Sequence, residues 1–203
     1  MIQGLTALGQ PVVNTGVGNI ASNRLSVFCF LAAQDVRVPP FWSSINLSAL
    51  SSLIPFAQYP VILKDFRLPK QTATVFDDYD ALRHHIASTP RLMTASLNPY
   101  IIQSYFESES YLKVYFCFSR LAIYRKYKDY KRSPEIVEHS DALRSLATTI
   151  SRILQLQVFS VDVIEYEHEL HVVDVNTYPI FKYHPVAYSW LAAALESRDA
   201  AAE

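Results

Sequence analysis

All four glycines of this 203-residue chain, Gly4, Gly9, Gly16 and Gly18, fall before residue 19, and none follows. Glycine supplies positive φ without a Cβ penalty, so every later tight turn or phosphate-cradling loop must be built without it. A GxxxxGKS phosphate loop and a GxGxxG dinucleotide turn are thereby excluded. Half of the residues are hydrophobic and 18% are charged, a balance that folds rather than stays disordered. The net charge of −1 argues against a general nucleic-acid binder, which needs clustered cationic excess to grip phosphates. The apolar runs are too short for a membrane span. No charged stretch followed by an apolar one marks a secretory signal, so a cytoplasmic location is expected. Cys29 and Cys117 sit in apolar runs and are expected as buried free thiols rather than a disulfide.

The segment FSVDVIEYEHELHVVDVNTYP, Phe159 to Pro179, carries the most chemistry. Two β-rich runs, Val158–Tyr166 and Leu170–Val175, flank a polar centre near His168 and predict a hairpin. A turn centred on residue 168 sets Asp162 opposite Asp174, and Asn176 shares the face of Asp174 because strand residues two apart point the same way. Directly opposed Cβ atoms lie roughly 5 Å apart, and like charges there are destabilising. At an effective dielectric of about 20 the repulsion is on the order of 3 kcal/mol. A cation would offset it. Two carboxylates and an amide oxygen are hard donors suited to Mg²⁺. The opposite face, Val161, Val163, Val173 and Val175, is expected to pack on a core. The competing expectation is a surface hairpin with its acids in water.

Strands dominate the middle of the chain with helices interspersed, which predicts an α+β fold. The first eighteen residues read as a short strand and loop. Ser22 or Asn23 is placed to cap a helix running to about Ala33, with Leu25, Phe28, Cys29 and Ala32 on one face. Ser43–Ile54 is ambiguous. Tyr59–Phe66 reads as a buried strand, paired across Leu68-Pro69-Lys70 with Thr72–Phe76. Asp77 or Asp78 caps a short helix through Ile86. Strands are expected at Tyr100–Ser104, Tyr111–Phe118 and Leu121–Tyr127, a helix from about Pro134 to Leu156, and a last helix from about Pro185 to Glu196. Residues 197–203 read as a frayed end.

Other candidates are weaker singly. Lys64 closes the apolar run Val61-Ile62-Leu63 and wants an anionic partner, a nucleotide phosphate or a carboxylate. Gln103, Ser104, Tyr105 and Phe106 end a strand with backbone polar groups beside aromatics, a combination able to hold the edge and faces of an adenine, or to be an ordinary strand end. Six of the eighteen Lys and Arg residues lie between Arg120 and Arg132, able to grip phosphates or an anionic acceptor, or to be a solvated strand and loop. The six histidines form no metal spacing, and no nucleophile elbow is present.

In order, Lys64 closing an apolar strand, the IIQSYF strand, the long YLKVYFCF strand and the DVI…VVDVN hairpin resemble the ATP-grasp superfamily, from about Pro11 to the final helix. RimK-type carboxylate–amine ligases share the IIQSYF segment and the hairpin spacing, and the inositol-trisphosphate kinases are similar at YLKVYF and DVNTYP. The resemblance implies two α+β lobes, residues 20–104 and 105–203, with ATP between them. It implies Gln103–Phe106 against adenine, Glu107 near the ribose, Lys64 and Arg24 on the phosphates, and Asp162, Asp174 and Asn176 holding Mg²⁺. Lys113 and Arg125 would both face the γ-phosphate and acceptor as catalytic residues. The implied function is an ATP- and Mg²⁺-dependent carboxylate–amine ligase working through an acyl phosphate on a small-molecule or peptide acid and an amine. The preceding domain that completes the acceptor site would come from another polypeptide, or the chain is a fragment, or turnover has been lost. The alternatives are a phosphotransferase on a polyol or inositol phosphate, and a nucleotide-binding pseudoenzyme or partner subunit.

Overall fold

A computed structural model of the chain describes residues 13–14, 24–50, 52–65, 72–88, 100–129, 131–138 and 140–199. The expected capping residues Ser22 and Asn23, the Leu68–Lys70 turn and the tail beyond Asp199 lie outside them. In chain order the elements are α1 (Arg24–Ala32), β1 (Phe41–Ser44), α2 (Leu47–Leu50), a 3₁₀ turn (Ile54–Phe56), β2 (Val61–Asp65), β3 (Thr72–Phe76), α3 (Tyr79–Ser88), β4 (Tyr100–Ser104), β5 (Ser110–Cys117) and β6 (Arg120–Tyr127). There follow β7 (Glu135–Val137), α4 (Asp141–Leu154), β8 (Val158–Tyr166), β9 (Glu169–Asn176) and α5 (Ala187–Asp199). No helix among the described residues is long and apolar enough to cross a membrane. The α+β class is as expected.

The chain divides into two units, one spanning Pro39–Glu107 and the other formed by the residues up to Val38 together with Ser108 onward. The first holds an antiparallel sheet in the order β1-β4-β2-β3. Its core gathers Leu50, Ile54, Val61, Leu63, Phe76, Leu82, Tyr100 and Ile102. Asp78 caps α3, its carboxylate accepting from Ala81 N at 2.8 Å.

The second unit is an antiparallel sheet in the order β7-β6-β5-β8-β9. On one face α4 lays down Leu143, Ala147, Ile150 and Leu154, one stripe at helical spacing, against Val114, Phe116, Ile123, Phe159 and Val161. Val27 and Leu31 of α1 join that core. The first helix was expected in the smaller lobe, but this packing assigns it to the larger unit. Its buried face is Val27, Phe28 and Leu31, which turns Cys29 outward; Cys29 is exposed and Cys117 buried, both as free thiols. The other sheet face carries Tyr115, Tyr124 and Val158 under Phe181 and Ala187.

Two sequence expectations fail locally. Residues 135–137 are not helical: they pair as an edge strand with β6, Glu135 opposite Arg125. The helix starts only where Ser140 accepts from Leu143 N at 3.1 Å. The β8–β9 turn is also shorter than expected. Tyr166 pairs with Glu169, leaving the two-residue turn Glu167-His168, with φ 51° and 64°. The β5–β6 turn, Phe118-Ser119, has φ 46° and 70°. Both turns have the positive φ at both central residues that a two-residue type I′ hairpin requires, achieved without glycine.

Candidate functional site: a charged ribbon on one sheet face

A two-residue turn with regular pairing would set Asp162 opposite Val173. A register shift between Asp162 and Val163 inserts one extra residue on β9, and the observed partner of Asp162 is Asp174. The two-residue turn makes Val172, not Val173, the buried core residue opposite Val163, and the bulge brings Val175 opposite Val161. The expected opposition of the acids is therefore present, reached by a different route.

Each carboxylate has its own cation. Lys113 stands directly opposite Asp162 across the β5–β8 ladder, with Nζ 2.7 Å from Oδ1, at side-chain exposures of only 15% and 19%. Arg24, the first residue of α1, reaches Asp174 Oδ1 at 2.8 Å. Burial pushes the Asp162 carboxyl up from its ordinary value; Lys113 opposes that and Asp174 adds to it. Protein cations thus offset the repulsion that the sequence alone assigned to a metal.

Asn176, on the face of Asp174, accepts from Tyr178 N at 3.0 Å through its amide oxygen. Ser160 lies opposite Asn176, and its hydroxyl is buried without a hydrogen-bond partner. No cluster of three or more His, Cys, Asp or Glu side chains able to hold a metal occurs among the described residues. A magnesium ion here would take Asp162, Asp174 and the Asn176 amide oxygen, a donor set that suits it in chemistry.

The two candidate catalytic cations do not share a face. Leu112 pairs with Arg125 and Lys113 with Tyr124, so Arg125 points to the opposite side from Lys113 and Asp162. Its guanidinium lies 3.4 Å from Ser110 Oγ. The cation of β6 that shares the carboxylate face is Lys126. Its Nζ sits 5.0 Å from the Tyr111 ring centroid and 5.1 Å from that of Tyr183. Burial alone would lower its pKa, but the Tyr111 hydrogen bond with Tyr111, Tyr183 and Asp162 nearby leaves it raised.

In the Pro39–Glu107 unit, Lys64 Nζ donates to Gln103 Oε1 at 2.6 Å. One of its partners is therefore an amide. The Gln103 Nε2 and Ser104 Oγ atoms are buried without hydrogen-bond partners. The backbone amides of Ser104 and Tyr105 are already used, donating to Pro40 O at 2.8 Å and Pro60 O at 2.9 Å. They are not free for a base. Glu107 is exposed and Phe106 half-buried.

One positioning residue escaped the sequence reading. Asn14, 5% exposed with φ 60°, donates through Nδ2 to Val158 O at 2.7 Å and to Thr177 O at 2.9 Å. Its Oδ1 accepts from Gln157 N at 2.8 Å and Val158 N at 3.0 Å. All four hydrogen-bonding positions of the amide are spent on joining the start of β8 to the end of β9. Only the Asn14-Thr15-Gly16 run, a turn-like tripeptide, hinted at a special backbone there.

No protein-family model and no curated protein matches the chain. Solved structures do. A RimK-domain ATP-grasp protein from Sphaerobacter thermophilus aligns over 96% of this chain and 74% of its own, at 22% identity and TM-score 0.73. The chain has the ATP-grasp fold. D-alanine–D-alanine ligase from Bacillus anthracis aligns over 96% of this chain and 73% of its own, at 15% identity and TM-score 0.70. The ATP-grasp ligase PsnB, complexed with a precursor peptide and AMPPNP, matches at 15% identity and TM-score 0.70, and the chain spans 64% of its length.

Proposed function

We propose that this ATP-grasp chain is an ATP- and Mg²⁺-dependent carboxylate–amine ligase. The observation that carries the reading is the bulge-enforced opposition of Asp162 and Asp174 with Asn176 beside them. Among proteins of similar fold, PsnB is known with magnesium and ADP and the Bacillus anthracis ligase with ATP, which supports the same cofactors here. Magnesium, when bound, neutralises phosphate charge that phosphoryl transfer spreads over the oxygens.

The chain's own residues do the rest. Lys113 and Lys126 place positive charge on the carboxylate face, where a developing anion is stabilised. Arg24 orients Asp174, and Lys64, steadied by Gln103, is the phosphate-directed cation of its unit. An acceptor carboxylate oxygen attacks the γ-phosphorus, the bond to the β-phosphate oxygen breaks, and ADP leaves with that electron pair. An amine then attacks the acyl phosphate, expelling inorganic phosphate and losing one proton as the amide forms.

The test is ADP release measured with acid alone, amine alone and both. A ligase requires both; release with a hydroxyl acceptor alone marks a phosphotransferase. Asp174→Asn should weaken binding of magnesium-loaded AMPPNP about tenfold, roughly 1.4 kcal/mol, without stabilising the apo protein, because Arg24 loses its carboxylate. Unchanged binding would remove the metal assignment. A second reading rests on the same ion pairs. Lys113 and Arg24 already neutralise both acids, which favours a nucleotide-binding partner without turnover if ATP binds but no ADP is released.

A further inference from the structure

Beside the charged ribbon, on the same face of β5 and β6, lies a cavity of about 500 Å³. Its cationic lining comes from two distant stretches of chain: Lys126, Lys128, Lys131 and Arg132 from β6 and the loop after it, and Lys182 from the segment before α5. Among the described residues no carboxylate lines it. Arg132 is balanced from outside by Glu135 at 3.0 Å. The loop lysines alone would pass for a solvated face. Lys182 changes that, because it arrives from fifty residues further on and closes the basic wall. Lys126 at the floor is half-buried between the Tyr111 and Tyr183 rings, which hold an ammonium in place by cation–π attraction, with Asp162 as the nearby carboxylate. Like charges gathered in a concavity repel one another, and walls of lower dielectric focus their field on whatever enters.

We infer that this cavity is an acceptor subsite for a multiply charged carboxylic acid, one carboxylate being the reacting group and at least one other being held by the Lys182–Lys131 wall. The inference rests on the ligase reading for its choice of carboxylate over other anions. Lysine ammonium groups bind such groups as point charges, tolerant of geometry and sensitive to salt. The extra carboxylates can belong to a free polyacid or to the side chains of an acidic peptide; both present the same chemistry.

Direct binding tests this separately from turnover. The full chain is titrated calorimetrically, without magnesium, with tricarballylate, with a tetraglutamate peptide, and with acetate and tetraglutamine as controls. Either polyacid should bind at least about tenfold more tightly than its control, and the tighter of the two identifies free acid or peptide as the source. Lys182→Gln and Lys131→Gln should each weaken that binding severalfold, and Lys182→Arg should restore it. AMPPNP affinity should be unchanged in both variants. The inference fails if neither polyacid outbinds its control. It also fails if AMPPNP competes with them, since the cavity would then be the nucleotide's own phosphate site. The ligase reading fails separately, if polyacid binding persists but no acid–amine pair releases ADP.

Discussion

The β5–β6 and β8–β9 hairpins begin alike and end differently. Each turns on two positive-φ residues that are not glycine. β5–β6 then keeps one register from Cys117–Arg120 to Ser110–Tyr127, and its two faces alternate without interruption. β8–β9 shifts register at Asp162/Val163. That one inserted residue opposes two acids where regular pairing would oppose an acid and a valine. A neutral ladder is the low-energy arrangement, so the irregular hairpin trades local regularity for a charge pattern, the mark of a functional strand pair.

The largest expected effect comes from removing the cation on which that pattern depends. Lys113→Met should leave Asp162 poorly solvated and unpaired and cost about 3 kcal/mol of unfolding free energy. Arg125→Met, on the opposite sheet face at the matching height, should cost well under about 1 kcal/mol. Denaturant melts of both variants read the contrast, and equal losses would mean the two faces are electrostatically alike.

A smaller effect is expected from acid. The Asp162 carboxyl is raised in the folded chain from its ordinary value of 3.8. Between that value and the folded one, the native state binds more protons than the unfolded state. This group's contribution is therefore full at low pH and is lost as pH rises through its folded pKa. Wild type should gain stability relative to Asp162→Asn as pH is lowered through that window; a constant difference would contradict the burial of the carboxylate. Least of all, Ser119→Gly and His168→Gly should each raise stability by up to about 1 kcal/mol by relieving a left-handed residue. Nearly equal shifts in the melting temperature would show that the turns are equivalent and that the bulge alone distinguishes the hairpins.

Much of this was legible in the residues. β3, β4 and β8 occupy the spans that apolar and β-branched runs marked, and the Asp162–Asp174 opposition follows from the hairpin pattern. The face of Arg125 was also within reach: a two-residue hairpin turn pairs an odd-numbered residue with an even-numbered one, so Lys113 must share its side with Tyr124 and Lys126. The resemblance suggested Arg125, and strand parity argues for Lys126. The bulge was not legible, because either a longer turn or an inserted residue sets the same acids opposite. Nor was the strand at residues 135–137, whose pairing with β6 depends on a neighbour rather than on its own composition. The ion pair of Arg24 with Asp174 joins residues 150 positions apart, and no local pattern announces it.

Asn14 has a consequence for the order of assembly. The β8–β9 ribbon is local and can zip within microseconds of its strands meeting, yet its open end is fastened by an amide lying 144 and 163 residues away. Closing so long a loop is entropically slow, so the fastening comes late. During synthesis the clasp emerges well before the strands it must hold. Until Asn14 meets Val158 and Thr177, the acidic ribbon exists only as a hairpin free to fray at its base.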